Sequence, residues 1–170
     1  PAKVVSGDFY NFSDLGNNRF GFGVADVSGK GIKSSLLMSK ASSLYRCLSK
    51  TIFSASTLIK ILNDEICETT TRGMFVTMIV GVYDKNKNEL LLSNAGHEPP
   101  LIFSKEGNFK TIDEAGPPLG IAPNFKFTEQ TISFKESSMY IFTDGITEMK
   151  NNNGEMLGQE GFQDYIKKYQ

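Results

Sequence analysis

The chain has 170 residues, 39% hydrophobic and 22% charged, and its 18 Lys and Arg nearly balance 19 Asp and Glu for a formal net charge of -1. That length suits one domain with its own core, needing neither a disulfide framework nor a structural zinc. The composition excludes a disordered chain, the absence of a basic stripe argues against nucleic acid as a partner, and no apolar run approaches the roughly 20 residues that span a bilayer.

Apolar residues alternate at period two from Val4 to Phe12 and from Arg19 to Val27, with Gly16-Asn17-Asn18 as turn chemistry between them, so a β-hairpin is expected. An antiparallel return carries Asp26 back to the end of the sheet where Asp8 stands. From Ile32 the period changes: Leu36, Leu37, Ala41, Leu44, Tyr45 and Leu48 recur at helical spacing and predict a long amphipathic helix. A second helix is expected from Ser56 to Thr70, with Leu58, Ile61, Leu62 and Ile66 on one face. Cys47 and Cys67 fall in these helices without CxxC spacing and are expected to be reduced, partly buried thiols.

The run from Met74 to Tyr83 favours a strand, and Lys85-Asn86-Lys87-Asn88 closes a hairpin into Leu90 to Ser93. Further strands are predicted at Leu101 to Phe103, Phe109 to Ile112, Phe125 to Ser133 and Met139 to Thr143, and a last helix from Gln159 to Tyr169. Strands on either side of a helix pair predict an α+β domain, mostly antiparallel, with helices outside.

Three aspartates stand at strand ends beside glycine: Asp8 in Ser6-Gly7-Asp8-Phe9-Tyr10, Asp26 in Ala25-Asp26-Val27-Ser28-Gly29-Lys30-Gly31, and Asp144 in Thr143-Asp144-Gly145-Ile146-Thr147-Glu148. One aspartate so placed is an ordinary turn residue. Three carboxylates on one rim would repel unless a cation lay between them, and hard oxygen donors without a cysteine or histidine pair select Mg²⁺ or Mn²⁺ over zinc. Lys30 either meets a phosphate as a point charge or is a solvated loop lysine. His97, the sole histidine, is expected to fix the Gly96 to Pro100 turn through hydrogen bonds. Nothing orients Ser28 and His97 as nucleophile and base.

Two apparent motifs fail on spacing. Gly23 to Lys30 has five residues rather than four between Gly23 and Gly29, and Gly31 stands where a P-loop needs Ser or Thr. Asp84, Asn86 and Asn88 begin like a calcium loop, but Glu89 and Ala95 occupy the positions that require Gly and Glu.

The aspartate segments, together with Asn94-Ala95-Gly96-His97-Glu98-Pro99-Pro100-Leu101 and Gly116-Pro117-Pro118-Leu119-Gly120, resemble in order and approximate spacing the PPM-type serine/threonine phosphatases, in their bacterial SpoIIE and RsbU-like branch. The resemblance implies a layered α-β-β-α sandwich and a dinuclear Mn²⁺ or Mg²⁺ site. In it Asp26 would bridge the two metals, the Val27 carbonyl would complete one coordination sphere, Asp8 would reach the first metal directly or through water, and Asp144 would bind the second.

It further implies in-line attack of metal-activated water on phosphoserine or phosphothreonine of a regulatory protein of the anti-sigma-factor-antagonist type. An upstream sensor domain goes with that branch, and a cytoplasmic location is expected because the sequence shows neither a membrane-spanning run nor a signal-peptide pattern. The family's late-strand aspartate pair is not found, since Asp164 sits in a helical pattern. Residues 1–170 are therefore expected to be one phosphatase domain cut from a longer protein and lacking its C-terminal strand. A catalytically inactive pseudo-phosphatase acting as a partner-binding module is the alternative.

Overall fold

Asn17 and Asn18, both at positive φ (53° and 59°), turn β1 (Phe9–Gly16) directly into β2 (Arg19–Val27). Two consecutive left-handed residues make the turn whose twist matches that of the flanking strands. The computed structural model describes residues 7–70 and 73–169. Val4 and Val5, expected to begin the first strand, lie outside them, and the strand runs past Phe12 to the turn.

The chain gathers into two units, Pro1–His97 with Glu114–Lys135 and Glu98–Asp113 with Glu136–Gln170. The first is built on a five-stranded sheet in the order β1-β2-β3-β4-β7, where β3 is Val76–Asp84, β4 Glu89–Ala95 and β7 Gln130–Ser133. Every neighbouring pair is antiparallel. Between β3 and β4 the Asp84 carboxylate accepts from the backbone N–H of Asn86 (3.0 Å) and of Lys87 (3.2 Å), which makes the calcium-loop look-alike a hairpin turn.

On one face of this sheet lie α1 (Ile32–Leu48) and α2 (Ala55–Thr69). Ala25, Val27, Met78, Val80 and Ala95 of the strands are buried with Leu37, Ala41 and Tyr45 of α1 and Leu58, Ile59, Leu62 and Ile66 of α2. Each large aliphatic side chain so buried stabilises the fold by about 1.5–3 kcal/mol before chain entropy is counted. Ser54 caps α2 by accepting from Thr57 N–H at 3.2 Å. The Glu129 carboxylate accepts from the Ser54 hydroxyl and from Ser56 N–H, each at 3.1 Å, placing negative charge where the helix dipole favours it.

The long strand expected from Phe125 shortens to β7 because its first half packs instead of pairing. Phe125 and Phe127 meet edge to face at 4.9 Å, and Phe127 is buried in the core. Cys67 is half-buried as expected, whereas Cys47 is exposed, because it faces away from the sheet on α1.

The second unit has a three-stranded antiparallel sheet in the order β6-β5-β8, with β5 Leu101–Ser104, β6 Phe109–Thr111 and β8 Ser137–Tyr140. Ile166 of α4 (Gly158–Tyr169) is buried with Leu101 and Phe142, and the Phe142 and Phe162 rings meet edge to face at 5.1 Å. A single helical turn, α3 (Asp144–Thr147), follows β8; it is too short to leave a period in the sequence. The expected α+β class with antiparallel sheets is what the structure has. Among the described residues no helix is long and apolar enough to cross a membrane.

Candidate metal centre

β1 and β2 pair Tyr10 with Val24 and Phe9 with Ala25. One further step in that register sets Asp8 opposite Asp26. Directly opposed side chains of antiparallel strands share a face with β-carbons about 4.5–5.5 Å apart, and like charges in that relation destabilise the pair unless something of opposite sign joins them. Asp8 is exposed and Asp26 half-buried.

The Val27 carbonyl joins the same rim for a reason the backbone supplies. Ser28 N–H donates to Phe75 O at 2.9 Å, on the side of β3. Because the Val27–Ser28 peptide is trans, the Val27 carbonyl points the opposite way, toward β1. Gly7 is there: a β-carbon on it would come to 3.0 Å from Val27 O and 3.5 Å from Asp26 Oδ1. The bare Cα leaves that space clear beside two oxygens, with Asp8 the next residue along. Hard oxygen donors of this kind suit Mg²⁺ or Mn²⁺ and match no thiolate- or imidazole-seeking metal.

On the other side of Asp26 stands Thr77, its partner in β3. The Thr77 hydroxyl donates to the Asp26 carbonyl oxygen at 3.4 Å and lies 3.0 Å from His97 Nδ1. Asn94 holds the His97 backbone from both sides, its Oδ1 accepting from His97 N–H at 2.8 Å and its Nδ2 donating to His97 O at 3.0 Å. His97 thus does fix its loop through hydrogen bonds, but it is the backbone that does so, and the ring turns to Thr77. Thr77 was hidden in the sequence as one hydroxyl in an apolar run.

Asp144 belongs to the other unit, where it opens α3 as an exposed first-turn residue whose carbonyl accepts from Glu148 N–H at 2.8 Å. Lys30 is exposed between Gly29 and Gly31, both at positive φ. Asp164 is exposed on α4. Among the described residues no three His, Cys, Asp or Glu side chains gather closely enough to hold a metal by themselves. Asp26 and the Val27 carbonyl thus lie beside Gly7 in the first unit, with Asp8 the next residue along, and Asp144 is carried by the second.

Residues 16–170 match the family described as Stage II sporulation protein E (SpoIIE). The chain belongs to the SpoIIE family. The matched stretch includes Asp26, Val27, Lys30 and Asp144 and begins after Asp8. The chain is 32% identical over 156 residues to Phosphoserine phosphatase RsbU of Bacillus subtilis (strain 168), an overlap of 91% of this chain and 46% of RsbU.

The overlaps with Protein IcfG of Synechocystis sp. and with Phosphoserine phosphatase RsbP of Bacillus subtilis likewise span less than half the length of those relatives. Two solved structures share the SpoIIE-family fold closely. The SiaA-PP2C domain of Pseudomonas aeruginosa has a TM-score of 0.84 at 16% identity, covering 98% of this chain and 68% of that one. The PP2C phosphatase domain of SpoIIE from Bacillus subtilis has a TM-score of 0.81 at 19% identity, covering 98% and 49%.

Proposed function

We propose that this SpoIIE-family chain is the catalytic part of a Mn²⁺- or Mg²⁺-dependent protein phosphatase that hydrolyses phosphoserine or phosphothreonine on a regulatory protein of the anti-sigma-factor-antagonist type. The observation that carries the proposal is the rim on which Asp8 stands opposite Asp26 while the Val27 carbonyl turns toward Gly7. The name of RsbU, a phosphoserine phosphatase, supports the substrate class.

In this reading Asp8, Asp26 and the Val27 carbonyl would hold a divalent ion, and Asp144 of the second unit would serve as a metal ligand as well. Bound divalent ions supply acidified water and positive charge against the phosphoryl oxygens. The chain's own residues do the rest. β2 carries Asp26 and Asp8 leads into the start of β1, so the hairpin brings the two carboxylates to one end of the sheet, and Lys30 would meet the phosphate as a point charge. No side chain needs to become phosphorylated. A sensor domain acting on this unit fits the regulated character of the branch.

The test is phosphate release from a phosphoserine protein in the presence of Mn²⁺. Wild type is expected to turn over, EDTA to stop it, and Asp26→Asn to lower the rate by about 100-fold or more while keeping the fold, since even groups that only orient a metal ligand are worth 10–100-fold. Equal rates for wild type and Asp26→Asn would overturn the metal reading. Absence of turnover in wild type would favour a partner-binding module.

A further inference from the structure

His97 is buried at 4% exposure, and the hydrolysis just described makes no use of it. Its backbone is held by several hydrogen bonds. Asn94, itself 5% exposed, clamps its backbone N–H and carbonyl, and Asn94 O accepts from Gly116 N–H at 2.8 Å. Gly96, just ahead, sits at φ 68°, with Pro118 only 2.7 Å from where a β-carbon would be. These contacts hold the backbone on both sides of the ring.

From this fixed position Nδ1 lies 3.0 Å from Thr77 Oγ1, which lies 3.4 Å from the Asp26 carbonyl oxygen. A hydroxyl has one hydrogen to give. With that hydrogen directed at Asp26 O, the tautomer that completes the chain is the one whose proton sits on His97 Nδ1. The result is a directed relay of hydrogen bonds, His97 to Thr77 to Asp26.

The relay ends where β2 ends. The β2–β3 ladder stops at the pair Val27 and Val76, one residue past Asp26. Of the two peptide planes that flank Val27, the one before it contains the Asp26 carbonyl held by Thr77, and the one after it contains the Ser28 N–H held by Phe75 O. Both planes are gripped from the β3 side. The Val27 carbonyl is thereby left aimed toward Gly7, at the end of β2.

We infer that His97 is a positioning residue: acting through Thr77, it fixes the Asp26–Val27 backbone so that the Asp26 carboxylate and the Val27 carbonyl hold the spacing a hard cation requires. This role rests on the metal-dependent reading above. It is distinct from acid–base catalysis, because the contact it uses runs from Nδ1 to the Thr77 hydroxyl.

The experiment compares Mn²⁺ binding by calorimetry and the Mn²⁺ dependence of phosphate release in wild type, Thr77→Val, Thr77→Ser, His97→Leu and His97→Asn. Thr77→Val and His97→Leu are expected to weaken Mn²⁺ binding about 10- to 100-fold and to raise the half-activating Mn²⁺ concentration by the same factor, with the rate at saturating Mn²⁺ far less changed. Thr77→Ser keeps the hydroxyl and His97→Asn keeps a donor near the place of Nδ1, so both should stay close to wild type. The Thr77→Val/His97→Leu double variant should be no weaker than either single one, because each change breaks the same relay.

A purely structural role would lower the thermal midpoint without separating Leu from Asn or affinity from saturated rate. Unchanged Mn²⁺ affinity in Thr77→Val and His97→Leu overturns the inference while leaving the phosphatase reading intact. Wild type that binds no Mn²⁺ overturns both.

Discussion

Gly7 faces the Val27 carbonyl so closely that a β-carbon on Gly7 would lie 3.0 Å from that oxygen, and the oxygen is backbone, which cannot swing aside as a side chain can. Gly7→Ala is therefore expected to displace Val27 O by a few tenths of an ångström and to weaken Mn²⁺ binding about tenfold, an effect of the size seen when a ligand loses its orientation. Calorimetry with Mn²⁺ checks this. Wild-type affinity in Gly7→Ala would mean that Val27 O is no ligand.

Asn63, on α2 and fully buried, bonds the loop that runs from Gly116 to Asn124. Its Nδ2 donates to Ala122 O at 2.9 Å, and its Oδ1 accepts from Gly120 N–H at 3.1 Å. Asn63→Leu leaves both backbone groups without these partners, each at about 1–3 kcal/mol. A loss of about 2–4 kcal/mol in urea unfolding is expected. A loss under about 0.5 kcal/mol would show that the loop finds other partners.

Glu129 reaches the start of α2 from a segment far along the chain, accepting from the Ser54 hydroxyl and Ser56 N–H. Removing it as Glu129→Ala should cost about 1 kcal/mol, the usual worth of a helix cap aided by the dipole. Glu129→Gln, which keeps an acceptor without the charge, should recover part of it. Chemical denaturation of the three proteins side by side gives the answer.

Asp64 titrates below the ordinary aspartate value. The hydrogen bond from Lys60 at 2.6 Å is the main cause, burial opposes it, and N–H donation from Asn124 at 3.0 Å adds to the lowering. A group whose folded pKa is depressed contributes stability that is present above its unfolded value, near about 3.9, and is lost as pH falls through the folded value. Asp64→Asn should thus be less stable than wild type at pH 7, and the gap should close as the solution is acidified below the ordinary aspartate range. Unfolding midpoints measured across that range decide it, and a gap that widens on acidification would contradict the assignment.

Much of the fold was legible in the residues because its signals are local. Period two around an Asn-Asn turn placed the β1–β2 hairpin, and with it Asp8 and Asp26 at one end of the sheet; helical spacing from Ile32 placed α1. Local signals failed where distant partners compete for a segment. Phe125 to Glu129 favours a strand by composition, yet Phe127 is drawn into the core and Glu129 to the end of α2, so only Gln130–Ser133 joins the sheet.

The candidate site divides along the same line. Carboxylates at strand ends beside glycine can be read from a chain, because residue type and the return of a hairpin are properties of neighbours in sequence. The direction of the Val27 carbonyl, the contact of Thr77 with Asp26 across two strands and the turning of the His97 ring to Thr77 cannot. They arise from hydrogen bonds between residues 20 to 51 positions apart, whose partners are chosen only when the strands pack side by side.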